Sequence, residues 1–212
     1  MSLFFPTPRE PMYIPKHFLE SDADALAAFI DEHAFGTLIT VADGRPFATH
    51  VPFLYERGDH TLHAHVARAN PQWTHLAAAP AVLVTFLGPH GYVSPTWYAD
   101  EGVPTWNYTA VHVYGEARVL DEADAKERHV KQLAARHERG SANPWQPRFD
   151  AKRLDGIVGL EIRIDEVEGK FKLSQNRSAA DRAGVIRALE ARGTDNDRAL
   201  ARLVDAAGRK PR

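Results

Sequence analysis

A short basic segment near residue 170 combines side-chain types that could bind an anionic or heteroaromatic ligand. Its sequence is Lys170-Phe-Lys-Leu-Ser-Gln-Asn-Arg-Ser178, directly after a strand-like stretch from Ile157 to Val167. Cationic and amide groups are hydrogen-bond donors suited to phosphates and to the edges of ring systems. The candidate ligand contacts are therefore Lys172, Gln175, Asn176 and Arg177. The alternative interpretation is a solvated loop before a helix that is capped by Ser178, with Asp181 at the position of a capping box.

A second candidate site is the turn after a predicted strand from Thr61 to Val66. Asn70 and Pro71 are typical of an N-cap and a first helical residue, so they predict a helix from Pro71 to Ala79. A helix N-terminus offers free N–H groups to an anion, and Arg68 adds a positive charge beside it. The turn from Arg68 to Gln72 is thus predicted to bind a phosphate. No glycine-rich fingerprint occurs in the chain, which excludes a P-loop or a Rossmann turn.

A third segment, Gly91 to Thr109, is rich in aromatic side chains. Its tryptophans and tyrosines suit core or interface packing, whereas Asn107 and Thr109 are harder to explain as core residues. Elsewhere, His63 and His65 point to the same face of a predicted strand and could share a metal ion. No carboxylate or third histidine stands at a recognisable spacing, so we predict no metal site.

Six motifs, in order and without large gaps, make the sequence similar to one known family. They are Met12-Tyr-Ile-Pro-Lys-His-Phe18, Thr49-His-Val-Pro-Phe53, Ala67-Arg-Ala-Asn-Pro-Gln72, Tyr92-Val-Ser-Pro-Thr-Trp-Tyr98, Val103-Pro-Thr-Trp-Asn-Tyr108 and Lys170-Phe-Lys-Leu-Ser-Gln-Asn-Arg-Ser178. Over residues 12 to 190 the chain resembles the PaiB-type FMN-binding regulators, which belong with the split-barrel flavoproteins and with pyridoxamine phosphate oxidase. The resemblance implies an FMN-binding split β-barrel, a homodimer with FMN between the subunits, and repression of transcription.

The resemblance also extends the set of candidate FMN contacts. It places His65 beside the flavin and makes His50 a candidate near the flavin ring, although a hydrogen-bonded core histidine explains His50 equally well. The complete predicted set is His50, Val51, Pro52, His65, Arg68, Asn70, Gln72, Asn107, Tyr108, Thr109, Lys172, Gln175, Asn176 and Arg177.

The loop from Lys172 to Arg177 is expected to reach an FMN that is bound mainly by the other subunit. Its donors follow the last long strand, where the chain of a barrel leaves its own core. A competing account is local: Arg177 pairs with an acid such as Asp181, while Gln175 and Asn176 satisfy the turn itself.

Composition narrows the class of protein. At 212 residues the chain suits a single barrel with helical additions. No apolar run approaches the roughly 20 residues needed to span a bilayer, and the N-terminal sequence lacks the pattern of a signal peptide. The absence of cysteine excludes disulfides, thiolate catalysis and cysteine-based metal sites, and it is compatible with a cytoplasmic protein.

Charge is unevenly distributed. Residues 1–169 carry 15 Lys/Arg and 23 Asp/Glu, whereas residues 170–212 carry 11 Lys/Arg and 5 Asp/Glu. The C-terminal fifth is therefore a basic segment attached to an acidic body. A solvated, arginine-rich helix face is favoured slightly over contact with the phosphates of FMN or DNA. No helix-turn-helix pattern is recognisable, and the acidic body disfavours DNA.

The predicted elements indicate a mainly β protein with flanking helices (α+β). Strands are predicted at 36–41, 46–55, 61–66, 81–87, 108–120 and 157–172, and helices at 22–33, 71–79, 121–139, 178–191 and 195–206. Ser21 is the expected cap of the first helix, Asp43-Gly44 the turn of a hairpin, and Glu168-Gly169 a bend in the last strand. Antiparallel strands suit a barrel because closure removes exposed edges.

We divide the chain into an N-terminal arm (1–11), a split-barrel FMN-binding domain (12–176), C-terminal helices (177–207) and a disordered tail (208–212). Three functions remain open: an FMN-binding regulator, an FMN-dependent oxidoreductase acting on a small molecule, and a flavin-free dimeric binding module. No side chains stand at the spacing of a catalytic pair, so the sequence names no catalytic residue.

Overall fold

Strands dominate the chain and are joined into one antiparallel sheet. This computed structural model describes residues 11–146, 148 and 151–209, with only the backbone described at 151 and 152. Within those residues the eight strands are β1 (Leu19–Glu20), β2 (Phe35–Ala42), β3 (Arg45–Pro52), β4 (Leu54–Glu56), β5 (Thr61–Ala67), β6 (Ala81–Val93), β7 (Thr105–Leu120) and β8 (Ile157–Lys172). The prediction of a mainly β protein is confirmed. Nearly all of the expected N-terminal arm lies outside the described residues.

Six α-helices flank the sheet in the same described part of the chain. They are α1 (Ala23–Glu32), α2 (Gln72–His75), α3 (Ala123–His137), α4 (Ala151–Asp155), α5 (Ala179–Arg192) and α6 (Asp195–Arg209). Two 3₁₀ turns, Lys16–Phe18 and Pro95–Trp97, precede β1 and follow β6. None of the helices in the described ranges combines the length and the apolar character required to cross a bilayer.

The strand order is β3-β2-β6-β7-β8-β5-β4, and β1 pairs with β8 beside this path. The hydrogen-bonded path of the described strands ends at β3 and at β4, so the sheet is not closed and the expectation that closure removes every edge is wrong. Both edges are nevertheless poor templates for another strand. Pro46 and Pro52 of β3 lack N–H donors, and β4 has only three residues.

The inner face of the sheet carries the main hydrophobic core. Leu38 pairs in register with Val84, Val84 pairs with Val113, and all three are completely buried. Phe53 and Phe86 meet edge to face with their ring centroids 5.5 Å apart. Because side chains alternate between the two faces of a strand, this core fixes which residues of β2, β6 and β7 point outward.

Local sequence signals predicted some boundaries of helices and strands correctly and others incorrectly. The Asp43-Gly44 hairpin is confirmed, with φ of 51° and 73° in the left-handed region that a two-residue turn of this kind requires. The helix after Pro71 ends at His75 instead of Ala79, because the N–H groups of Ala78 and Ala79 both turn back to the His75 carbonyl. Asp22, and not Ser21, caps α1, since its carboxylate accepts from the Ala25 N–H at 2.9 Å.

The two longest strands also differ from expectation. β6 continues to Val93 across an irregularity between Leu87 and His90, where Gly88 and Pro89 interrupt the pairing. The register of β7 and β8 shifts between Tyr114 and Gly115, so the irregularity lies near Asp165 and not at Glu168-Gly169. Gly169 instead allows close approach of Leu26 from α1, because a Cβ atom there would overlap the Leu26 side chain.

Helices α5 and α6 pack beside β6 around a second hydrophobic cluster, formed by Val93, Leu173, Val185, Leu189, Leu200, Ala201 and Val204. Ser178 caps α5 as predicted, since its hydroxyl accepts from the Asp181 N–H at 3.1 Å. Asp181 makes no capping box: its buried carboxylate accepts from the backbone N–H groups of Ala99 and Asp100 at 2.9 and 3.0 Å. α6 includes Gly208 and Arg209, two residues expected in a disordered tail.

Candidate functional site

The turn between β5 and α2 is held by the side chain of Asn70. Its Oδ1 accepts from the Gln72 N–H at 2.9 Å, which is the capping contact that the sequence predicts. Its Nδ2 donates to Thr49 Oγ1 at 3.0 Å and thereby ties the turn to β3. His50, the residue next to Thr49, is exposed and lies over Phe35, with ring centroids 6.5 Å apart. The structure thus brings His50, Arg68 and Asn70 to one end of the molecule.

Two of the other predicted contacts at this end have local roles. Gln72 is completely buried, and its Nε2 donates to the carbonyls of Leu38 and Phe47 at 3.0 and 3.2 Å. These bonds fasten the turn to the β2–β3 hairpin. Val51 is buried in the core, and its neighbour Pro52 is half-buried. Contacts of Gln72 and Val51 with FMN remain predictions that the geometry does not favour.

Arg68 forms a charged cluster with Asp121 and Lys126, two residues remote from it in sequence. Its Nη2 pairs with Asp121, and its Nε and Nη2 donate to the carbonyls of Asp155 at 2.6 Å and Ile157 at 3.1 Å. Lys126 of α3, with a nearly buried side chain, donates to the same Asp121 carboxylate at 2.9 Å. The hydrogen bonds from Arg68 and Lys126 lower the pKa of Asp121. Two cations share the Asp121 carboxylate, and the charge of Asp155 also acts on Arg68.

His65 contacts a second histidine, His129. Its Nδ1 lies 3.0 Å from Nε2 of His129, a buried residue of α3. Burial lowers the pKa of His65, while burial together with the charges of His65 and His63 lowers the pKa of His129 to about 3. Both rings are therefore neutral at pH 7, and one donates to the other. The pair fastens α3 to β5.

From the His65–His129 pair we predict that the stability of the protein falls as the pH drops below the ordinary histidine pKa. Unfolded His129 takes up a proton near pH 6.5, whereas folded His129 does so only near pH 3. Stability should therefore be lost between those values, at up to about 1.4 kcal/mol per pH unit for this one residue. Urea unfolding of wild type and His129→Gln at pH 7, 6, 5 and 4.5 measures it. The variant should show the shallower decline, and parallel curves would refute the assignment.

The second group of predicted contacts assembles where β7 and β8 lie side by side. Tyr108 pairs in register with Lys172, and Thr109 with Phe171. Asn107 is buried, and its Nδ2 donates to Ser174 Oγ at 2.9 Å, which fixes the loop after β8. This explains the polar Asn107 in an otherwise aromatic segment as a structural residue.

Lys172 is a half-buried cation at the end of β8. Its Nζ donates to Thr105 Oγ1 and lies 6.0 Å from the centroid of the Phe18 ring. Burial, with a smaller effect from Lys170, lowers the pKa of Lys172. No carboxylate pairs with it among the described ion pairs. A cation without a close counter-ion suits an anionic or electron-rich ligand.

The rest of the loop is largely satisfied by its surroundings. Gln175 accepts from the Leu173 N–H at 2.7 Å and donates to the Phe171 carbonyl at 2.5 Å. Arg177 donates to the Glu101 carbonyl at 3.2 Å, lies 3.8 Å from Asp181 and stacks 4.2 Å from the Tyr98 ring centroid. Asn176 is exposed. For Gln175 and Arg177 the local account thus has direct structural support, and Lys172 and Asn176 are the better candidates for a ligand.

The two groups lie at opposite ends of β8. The Arg68 N–H donates to the carbonyl of Gly156, just before β8, whereas Lys172 is the last residue of the strand. Along β8 itself, 16 residues lie between these two points. Across the sheet the path is shorter, because Asn70 is bonded to Thr49, whose register row runs through Leu38, Val84 and Val113 to Val167, five residues before Lys172. No described hydrogen bond or ion pair joins the two ends. We call them the turn half-site (His50, Arg68, Asn70) and the loop half-site (Lys172, Asn176).

Sequence reasoning missed three residues that shape the turn half-site and its surroundings, namely Asp121, Lys126 and His129. Asp181, in contrast, was named from its position three residues after a helix cap and as a partner of Arg177. The partners of Arg68 and His65 lie 53 and 64 residues further along the chain. No local pattern links positions so far apart. Among the described residues no group of three or more potential metal ligands comes together.

Comparison with known proteins places the chain in a family. Residues 12–166 match the family described as "Putative FMN-binding domain". Protease synthase and sporulation protein PAI 2 of Bacillus subtilis (strain 168) is 39% identical over 201 residues, which cover 92% of this chain and 97% of that protein.

Solved structures of flavin proteins share the fold. The flavocytochrome Anf3 from Azotobacter vinelandii aligns with a TM-score of 0.61 at 17% identity, covering 75% of this chain and 72% of that one. The FAD and heme binding protein from Mycobacterium smegmatis aligns with a TM-score of 0.60 at 22% identity, covering 73% of each. The match over residues 12–166 and the 39% identity to the Bacillus protein show that this chain belongs to the PaiB-type family of split-barrel proteins with a flavin-binding domain.

Proposed function

We propose that this chain is a cytoplasmic homodimer that binds FMN between its subunits and acts as a PaiB-type regulator of transcription. Each FMN contacts the turn half-site of one subunit and the loop half-site of the other. The observation that carries the proposal is the exposed apolar strand face beside the turn half-site, where Phe35 is 68% exposed and lies over His50. A second copy of the chain that covers this face would bring its own loop half-site to the flavin.

The residues at the two half-sites fit the chemistry of FMN. The phosphate needs cations and hydrogen-bond donors, and the partly exposed Arg68 guanidinium is such a group at the turn. The flavin ring needs polar partners at its edge, and exposed His50 and Asn176 are of that type. Lys172 adds a half-buried positive charge. FMN, when bound, would supply redox chemistry, while these side chains would hold and orient it.

Exposed apolar side chains on the sheet support a dimer. On the outer face of β2 and β6, Phe35 and Leu87 are 68% and 57% exposed. Near the far ends of β6 and β7, Tyr92 and Trp106 are 40% and 53% exposed and pair in register. Large exposed aromatic and aliphatic groups on a strand face are typical of protein interfaces. A second copy that covers Phe35 would also approach His50, which belongs to the turn half-site.

The proposed regulatory role is supported by sequence similarity to the Bacillus relative and not by a DNA-binding surface. The Bacillus relative is named for protease synthesis and sporulation, and the resemblance to PaiB-type proteins points to repression. In the basic C-terminal segment, Arg192, Arg198 and Arg209 pair with acids of the same segment. Those pairs support a solvated helix face. Contact of this segment with DNA is therefore disfavoured, and a DNA-binding assay tests it separately from FMN binding.

Titration of the flavin-free protein with FMN, riboflavin and FAD tests the cofactor. We expect one FMN per chain, seen as a shift in the flavin absorbance, and binding of riboflavin at least about tenfold weaker because it lacks the phosphate. Equal affinity for riboflavin would contradict phosphate recognition.

The FMN-loaded protein is then assayed for NADPH oxidation and for a salt-dependent shift of duplex DNA from upstream of its own coding region. A DNA shift without NADPH oxidation fits a regulator, and the reverse result fits an oxidoreductase.

A further inference from the structure

A cavity of about 750 Å³ lies between the N-terminal 3₁₀ turn, β1, the end of β8 and helices α5 and α6. The residues that matter for its chemistry are Lys16, Phe171, Leu173, Arg182, Leu203 and Ala206. Its volume is within the range of pockets that hold small organic ligands, roughly 300–1,000 Å³. Asn176 of the loop half-site borders this space, whereas the residues of the turn half-site do not line it.

The walls of the cavity are apolar and firmly packed. Phe171 contacts both hydrophobic clusters, and its ring lies 5.2 Å from that of Phe29 in the main core. Leu173 is nearly buried, and Leu203 packs against the helical cluster. Such walls present a preformed apolar surface, which favours the flat body of an aromatic or alicyclic ligand.

Two cations, Lys16 of the N-terminal turn and Arg182 of α5, line the cavity together with the His17 ring. Arg182 uses Nη1 to donate to the Arg177 carbonyl at 2.6 Å, but a guanidinium has five N–H donors in all. Among the described lining residues, Glu20 supplies one carboxylate, which accepts from the Asp22 N–H at 3.1 Å. A pocket with apolar walls and a surplus of cations selects an anion with an apolar body.

We propose that this cavity is a binding site for a small carboxylic acid with a flat apolar body. The acid group lies toward Lys16 and Arg182, and the body lies against Phe171, Leu173 and Leu203. Gln175 and Asn176 also border the cavity. If the proposed cross-subunit flavin site is correct, the acid therefore lies beside the flavin, as an effector or a substrate of it. Binding of the acid does not itself depend on that arrangement.

The test uses 4-(trifluoromethyl)phenylacetate as the probe and its neutral amide as the isosteric control, both followed by ¹⁹F NMR on the full-length protein. In flavin-free protein the acid is expected to bind about threefold to tenfold more tightly than the amide, because exposed Lys16 is partly screened by solvent. Equal binding of the two compounds, or binding of neither, overturns the proposal. Since this step needs no flavin, its failure is distinct from a failure to bind FMN.

Two variants locate the probe. Ala206→Phe fills the cavity from an exposed position of α6 and is expected to abolish binding of the acid, whereas Ala191→Phe makes the same exchange on the exposed surface of α5 and should bind like wild type. Lys16→Met should reduce the preference for the acid over the amide. Unchanged binding in Ala206→Phe overturns the proposal. Displacement of the probe by saturating FMN also overturns it, since the cavity would then be the flavin site itself.

Discussion

Replacing Arg68 by alanine is expected to weaken FMN binding about ten- to a hundredfold, because it removes a charge-assisted contact to the phosphate. The structure adds a condition to this expectation. Arg68 already pairs with Asp121 and donates to the carbonyls of Asp155 and Ile157. Its positive charge is therefore shared between the protein and the ligand. The FMN affinity of Arg68→Ala is measured by fluorescence titration, with circular dichroism as the check that the fold is intact.

Asp121→Asn provides the matched control, since it removes the carboxylate that competes for Arg68 while leaving Arg68 in place. FMN affinity should rise severalfold in this variant, because the net charge at the turn half-site increases by one. If Arg68 serves only to hold α3 and the start of β8, both substitutions will lower the stability of the protein and leave FMN affinity unchanged. That pattern would remove the phosphate from the turn from Arg68 to Gln72.

The second large effect is expected at the exposed apolar face of the sheet. In the double variant Phe35→Arg/Leu87→Arg, each subunit would place two charges in the proposed interface, where they cannot be solvated. We expect the dimer to dissociate to monomers at micromolar concentration and FMN binding to fall at least about tenfold. Sedimentation equilibrium with and without FMN gives both the mass and the effect of the ligand. Because both side chains are already exposed in the single chain, folding should be preserved.

Gly58→Arg/Ala191→Arg serves as the control, since it adds the same two charges at other exposed positions. A Cβ atom at Gly58 would meet no other atom within 4 Å, and Ala191 is exposed near the end of α5. This control should remain dimeric and bind FMN normally. A wild-type protein that is monomeric at saturating FMN, or a Phe35→Arg/Leu87→Arg variant that remains a dimer, would contradict the proposed interface.

Much of the fold could be predicted because its signals are local. The Asp43-Gly44 turn between two apolar runs specified the hairpin of β2 and β3, and Ser178 specified the start of α5. The bounds of β8 were predicted as Ile157 to Lys172, since its apolar alternation is long and resumes at Val167 after the irregularity near Asp165. Boundaries failed where tertiary contacts decide them. The apolar run that predicted β6 ends at Leu87, but β7 continues to pair with the chain beyond it.

The candidate site could be predicted only in part, for a physical reason. Sequence motifs identified the side chains with ligand-binding chemistry, and the structure brings Asn107 to Thr109 beside Lys172. Whether a donor is already engaged depends on partners that are remote in sequence. The Gln72 amide already donates to the Leu38 carbonyl of the hairpin, and Arg68 already forms an ion pair with Asp121. Asn107 already donates to the Ser174 hydroxyl. Nor could the spacing of motifs show which row of the sheet each half-site occupies.

Subunit complementation tests the cross-subunit site most directly. One chain carries Arg68→Ala, and the other carries Lys172→Met/Asn176→Ala, which spares the local contacts of Gln175 and Arg177. Co-expression with two affinity tags and tandem purification isolates the heterodimer. Each mutant homodimer should bind FMN weakly. The heterodimer retains one turn half-site opposite one loop half-site, both intact, so we predict one tightly bound FMN per dimer. A heterodimer that binds no FMN tightly, or a Lys172→Met/Asn176→Ala homodimer with wild-type affinity, would contradict the sharing of FMN between subunits.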